Sequence, residues 1–157
     1  MEAINCFCYE TIIGNITICA NEKAVTKLCF GKCLDVAIKN VETELIKGAF
    51  AQLNEYLSGS RTRFDLKFEY TGSDFQMAVW DQLKKIPYGK TKTYKEIARN
   101  LGSPKSCRAV GMACGKNPIS IFIPCHRVIG SNENLTGYGG GLHMKKYFLE
   151  MEKNKCS

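Results

Sequence analysis

Thr-Tyr-Lys-Glu-Ile-Ala-Arg-Asn-Leu-Gly-Ser-Pro-Lys-Ser-Cys-Arg-Ala-Val-Gly-Met-Ala-Cys-Gly, from Thr93 to Gly115, spells two short helices and the turn between them. Thr93 and Glu96 stand three apart, the spacing at which a hydroxyl and a carboxylate each cap the other's backbone N–H. That capping box opens a helix reaching about Asn100. Gly102 breaks it, Ser103 caps the next helix, Pro104 takes its first turn, and Gly115 ends it. Two helices joined by a glycine-containing turn outline a helix-turn-helix, a pattern that many packed helix pairs share. Here the second helix carries Lys105 and Arg108.

Upstream, Ser73 and Gln76 form another capping box, before a helix with Phe75, Val79, Leu83 and Ile86 on one face that stops at Pro87-Tyr88-Gly89. A boundary falls at Tyr70-Thr71-Gly72. Before it, Ile4 to Ile12, Ile16 to Ala20 and Val25 to Phe30 read as strands of a meander separated by turn residues. Leu34, Ile38, Val41 and Leu45 predict one amphipathic helix, and Phe50, Leu53 and Leu57 a second, closed by Gly59. Arg61 to Tyr70 alternates as a further strand. No residue in this stretch carries chemistry, so it reads as scaffold. The expected fold is α+β, with a small β-meander and helix domain over 1–70 followed by a helical, winged-helix-like domain over 71–157.

Charge divides at the same boundary. Residues 1–70 hold eight Lys/Arg against nine Asp/Glu, whereas residues 71–157 hold fourteen against six, a local balance of +8 within a net +7. A basic half joined to a near-neutral half is the electrostatic footprint of a nucleic-acid binder. No run reaches the roughly 18 apolar residues of a membrane span, and Met1-Glu2-Ala3-Ile4-Asn5 is not the start of a signal peptide. A cytoplasmic protein is expected, nuclear in a eukaryote. The nine cysteines contain no Cys-x-x-Cys pair, and only two histidines exist to join them. Reduced thiols and no bound metal are the expectation.

Downstream, Ile-Pro-Cys-His-Arg-Val-Ile-Gly-Ser-Asn, Ile123 to Asn132, puts a cysteine beside a histidine after the apolar run Ile119, Ile121, Phe122, Ile123. A thiol becomes a nucleophile when a base or a positive field makes it a thiolate, and Pro124 stiffens the approach. An isolated Cys-His pair is more often a buried thiol beside a surface imidazole. Its neighbours distinguish it: Asn117-Pro118, the run Ser103-Pro104-Lys105-Ser106-Cys107-Arg108-Ala109-Val110-Gly111, the glycine-rich Leu135-Thr136-Gly137-Tyr138-Gly139-Gly140-Gly141-Leu142, and a last helix with Glu152. From about Gly72 to Glu152 this ordered set resembles the O6-alkylguanine-DNA alkyltransferases, also called methylated-DNA–protein-cysteine methyltransferases.

The resemblance implies a ribonuclease-H-like topology for residues 1–70. It also implies a single-turnover S-methyltransferase that moves an alkyl group from O6-alkylguanine, and from O4-alkylthymine, to its own Cys125. The substrate would be double-stranded DNA containing alkylated guanine, with no cofactor and a monomeric protein. His126 would take the Cys125 proton through an ordered water, Glu152 would orient the imidazole, and Tyr94 would protonate the leaving base. Asn117 would brace the loop entering the cysteine segment. Arg108 would fill the stack vacated by the extruded base, with Ser103, Lys105, Ala109 and Arg127 also on the DNA. Tyr138, Gly139, Gly140, Val128 and Ser120 would form the base and alkyl pocket. The chain departs from many relatives at Cys114, where they carry asparagine or methionine, and at Ser120, where some carry proline; both bear on which alkyl sizes fit. Two other readings are a winged-helix regulator with an incidental thiol, which predicts no covalent product, and a cysteine hydrolase, which predicts turnover of an acyl substrate.

Overall fold

A computed structural model describes residues 4–31, 39–131 and 137–156, and the chain divides into two units at Tyr70/Thr71. In the first unit, β1 (Asn5–Thr11), β2 (Gly14–Ala20) and β3 (Val25–Phe30) form an antiparallel meander. Gly14, at φ 99°, supplies the left-handed residue that returns the chain in the first hairpin. The two-residue strand β4 (Lys39–Asn40) adds in parallel to β1, giving the order β3-β2-β1-β4. Helix α1 (Glu44–Leu57) is capped by the Thr43 hydroxyl, which accepts from Ile46 N–H at 3.2 Å. It buries Ile46, Ala49, Leu53 and Tyr56 in the same core as Ile16, Ile18 and Val25. The Tyr9 ring stacks on Phe50 with centroids 3.7 Å apart.

Three expectations change in this unit. The stripe Leu34-Ile38-Val41-Leu45 is not one helix: Lys39–Asn40 is strand, Thr43 caps, and α1 begins at Glu44, while Leu34 and Ile38 lie outside the described residues. Arg61 to Tyr70 is not a full strand and touches the sheet through a single parallel bridge, Val25 to Phe68. Cys6 and Cys19 are not free thiols but a disulfide. Spacing along the chain hides that pairing, whereas the β1–β2 register places Cys6 directly opposite Cys19, with Cα atoms 4.1 Å apart.

The second unit starts with α2 (Asp74–Lys84), where Ser73 and Gln76 make the reciprocal capping bonds read from the sequence. The pair β5 (Lys92–Thr93) and β6 (Val128–Ile129) is parallel. Helix α3 (Tyr94–Asn100) opens on the Thr93/Glu96 capping box. After Gly102, at φ 73°, comes α4 (Cys107–Gly115), and α5 (Leu142–Cys156) closes the described chain. Helix α4 packs on α2 and α3 through Val110 and Ala113, and the Trp80 indole N–H donates to the Ala113 carbonyl at 2.8 Å. It begins later than expected. Ser103 to Ser106 is a separate turn closed by Ser106 N–H to the Ser103 carbonyl at 2.9 Å, a place Pro104 suits as well as a helix start. Among the described residues, no helix is long and apolar enough to cross a membrane.

Candidate active site

Residues 119–129 are almost continuously buried and end in a 3-10 turn, Cys125–Arg127, that leads straight into β6. Two devices fix its approach. Asn117 bridges the segment, its amide donating to the Ile123 carbonyl at 2.8 Å and its oxygen accepting from Ile119 N–H at 3.0 Å. Ile121 sits at φ 74°. A β-branched residue there is strained by roughly 1–3 kcal/mol, a conformation that persists only where its surroundings enforce it. With Ile121, Phe122 and Ile123 all buried just before it, the turn presents Cys125 from a rigid wall.

Of the residues read as nucleophile (Cys125), base (His126) and orienter (Glu152), the last two meet here although Glu152 lies 26 residues on, and Cys125 precedes His126 in the same turn. His126 Nε2 is 2.7 Å from Glu152 Oε2, and both side chains are buried. Glu152 also accepts from Arg127 Nε at 2.8 Å, Arg127 Nη2 at 3.0 Å and the Gly89 backbone N–H at 3.2 Å. Burial by itself would raise the Glu152 carboxyl; hydrogen bonds and charge from His126 and Arg127 bring it down to about 2, so it is a fixed anion. Burial lowers the His126 imidazolium, outweighing Glu152, so the ring is neutral and able to accept a proton. With Nε2 on the carboxylate, Nδ1 is the nitrogen for that task. Burial pushes the Cys125 thiol up, while the side chains of Asn117 and Ser120 and the Lys145 ammonium favour its thiolate.

Arg127, expected on the DNA, is turned inward: its guanidinium is buried, bidentate on Glu152, and donates Nη1 to the Ile86 carbonyl at 2.8 Å. An arginine following a histidine gives no local sign of whether its fork will meet phosphate or carboxylate; α5 decides it. Val128 is fully buried in β6, with its side chain in the core. Ser120 is half-buried beside the thiol, and Tyr138 lies edge-on to His126 with ring centroids 6.5 Å apart. Gly139 is exposed and Gly140 half-buried, whereas Ser103 is half-buried and Lys105, Arg108 and Ala109 are exposed. Tyr94 and Arg108 line one cavity of about 560 Å³ together with Gly111 and Gly137. A β-carbon at position 111 would come within 3.8 Å of the Tyr94 ring.

Lys145 is the site residue that the sequence reading missed. It is fully buried, its ammonium donates to the Tyr94 hydroxyl at 3.4 Å, and it is lowered by burial while Cys125 and Cys114 attract its charge. The signal was available. Lys145, Phe148 and Glu152 stand at i, i+3 and i+7, one buried stripe of α5, so the helix that delivers Glu152 also delivers a cation. Burial, with the Cys125 charge adding, pushes the Cys114 thiol up to about 12, which keeps it protonated.

Two family profiles match the chain. The ribonuclease-like domain of 6-O-methylguanine DNA methyltransferase covers residues 4–70, and the DNA-binding domain of the same family covers residues 74–154. A methylated-DNA–protein-cysteine methyltransferase of Methanosarcina barkeri is 46% identical over 149 residues, 92% of this chain and 94% of that protein. The crystal structure of Mycobacterium tuberculosis OGT in complex with DNA superposes with a TM-score of 0.90 at 41% identity, covering 96% of this chain and 94% of that one. An O6-methylguanine-DNA methyltransferase from Pyrococcus kodakaraensis shares the fold at 22% identity and a TM-score of 0.57. The buried Cys-His turn locked to a carboxylate on the last helix, beside a basic helix pair, thus occurs in a chain that belongs to the methylated-DNA–protein-cysteine methyltransferase family.

Proposed function

We propose that this protein repairs duplex DNA by extruding O6-alkylguanine, and O4-alkylthymine, and moving the alkyl group to its own Cys125 once per molecule. An alkylated guanine oxygen sits inside the base pair, so the base must leave the stack, which costs least for a damaged, badly paired base. Arg108 on the exposed face of α4 fills the gap, with Lys105, Ser103 and Ala109 against the backbone. The base enters between Tyr94 and the Tyr138–Gly140 segment, with Ser120 at the alkyl end.

His126 takes the thiol proton through a water. The Cys125 sulfur forms a bond to the alkyl carbon while the carbon–O6 bond breaks with its electron pair on the guanine, and Tyr94 supplies that base with a proton. The products are a thioether and ordinary guanine. Water does not cleave a thioether, so the residues present give no route back and the reaction stops at one event. The alkylated base brings both alkyl and leaving groups, and the chemistry proceeds without a cofactor. The protein acts as a monomer in the cytoplasm.

The observation that carries this reading is the His126–Glu152 contact at 2.7 Å, which fixes a neutral imidazole beside a cysteine held by Asn117. Incubation with excess O6-methylguanine duplex, followed by intact mass and peptide mapping, tests it. One added methyl group on Cys125 is expected. Multiple turnovers, or a methyl on Cys107 or Cys114, would refute it.

A further inference from the structure

Helix α4 exposes a stripe at i, i+1, i+4, i+7 and i+8: Arg108, Ala109, Met112, Gly115 and Lys116. Two of these are cations and two are too small to project beyond the backbone. Met112 is the one large apolar side chain on that face, and it is 67% exposed. The core does not use it, because Val110 and Ala113 are the residues α4 buries. Single exposed apolar residues are ordinary on protein surfaces. This one, however, lines the same cavity of about 560 Å³ as Tyr94 and Arg108.

We propose that Met112 is a second, apolar wedge that enters the DNA duplex within about two base steps of Arg108. The inference rests on the alkyl-transfer reading of this site. The small residues Ala109 and Gly115 let the helix backbone approach a ligand closely, and the cations at either end match a polyanion. A bulky apolar group between them then protrudes into whatever the helix meets. Removing a base from the stack uncovers the flat apolar faces of its neighbours, and methionine is one of the side chains that proteins insert between base steps. Its polarizable thioether packs well on aromatic edges. Arg108 and Met112 lie four residues apart, about 6 Å along the axis, against about 3.4 Å of rise per base, so the two side chains address positions within about two base steps of each other. Arg108 substitutes for the lost base, and Met112 keeps a nearby step parted and dry.

The test compares wild type with Met112→Ala, Met112→Gln and Met112→Leu. The measurements are single-turnover rates on an O6-methylguanine duplex and on free O6-alkylguanine base, and duplex affinity across a salt series. The alanine and glutamine variants should lose about five- to tenfold in duplex affinity and repair rate, from the apolar burial withdrawn. Leucine should stay near wild type. No cation is removed, so the slope of log affinity against log salt should not move, and the free base should react at the wild-type rate. Unchanged duplex repair in Met112→Ala, equal slowing on the free base, or a shallower salt slope would each overturn the wedge. A wild type that transfers no alkyl group would instead sink the functional reading, with duplex affinity of the Met112 variants still deciding the wedge.

Discussion

Glu152→Gln removes the charge that His126, Arg127 and the Gly89 amide all address, while keeping side-chain volume. The folded carboxyl titrates at about 2 against an ordinary 4.5. With about 1.36 kcal/mol for each unit of difference, ionised Glu152 contributes roughly 3 kcal/mol to the stability of its unit. The folded value is depressed, so this contribution is whole above pH 4.5 and is lost as the pH falls from there towards 2. His126 adds an earlier decline. Its folded value is also lowered, so the unfolded chain takes up a proton first and stability drops as the pH falls below 6.5. In Glu152→Gln the amide also leaves the buried Arg127 guanidinium uncompensated, a loss of about 3–5 kcal/mol in comparable pairs. The assay is urea unfolding at pH steps from 7 to 2, followed by fluorescence of Trp80, the chain's single tryptophan, buried in the same unit. The variant should be less stable at pH 7 by about 3 kcal/mol and should lack the decline between pH 4.5 and 2. Wild-type stability at pH 7, or stability curves that stay parallel below pH 4.5, would refute the reasoning.

Lys145→Met keeps a buried side chain of similar length but withdraws the positive charge that favours the Cys125 thiolate. Reaction with free O6-alkylguanine base should slow at neutral pH and approach the wild-type rate at high pH, where the thiolate forms unaided; a pH series of single-turnover rates checks this. Arg108→Ala should slow repair of methylated duplex at least tenfold, by about 1.4 kcal/mol or more of lost support for the extruded state, and leave reaction with the free base nearly unchanged, measured as paired single-turnover constants.

Local chemistry made much of this molecule legible. The capping boxes at Ser73/Gln76 and Thr93/Glu96 and the three strands of the meander depend on residues within a few positions of one another, and a sequence displays such patterns directly. The failures share a different cause. Cys6 finds Cys19 only through the strand register, and Arg127 turns from solvent to Glu152 only because α5 returns from 25 residues away. Val41 continues a helical stripe, but pairing of Lys39–Asn40 with β1 overrides the periodicity. Ser103-Pro104 suits a turn and a helix start equally, and nothing local separates them. At the site, Cys125, His126 and Glu152 were readable through the resemblance. Lys145 was legible only as a member of the stripe with Phe148 and Glu152, because a lysine taken alone on a helix reads as solvated.

The carboxylate of Glu152 collects hydrogen bonds from residues 89, 126 and 127, while Arg127 reaches on to the carbonyl of Ile86. Gly89, at φ 80°, packs against Cys156 in the last turn of α5, whose Sγ would have to move to admit a β-carbon there. A helix at the edge of a unit ordinarily unzips by itself, its amides exchanging with solvent through small local openings. Here α5 cannot lift without uncovering an arginine and a carboxylate together, so its middle turns belong to the same cooperative block as the loop at 86–89 and the Cys125–Arg127 turn. Lifting α5 would therefore also take away the carboxylate that holds His126 and Arg127 in place.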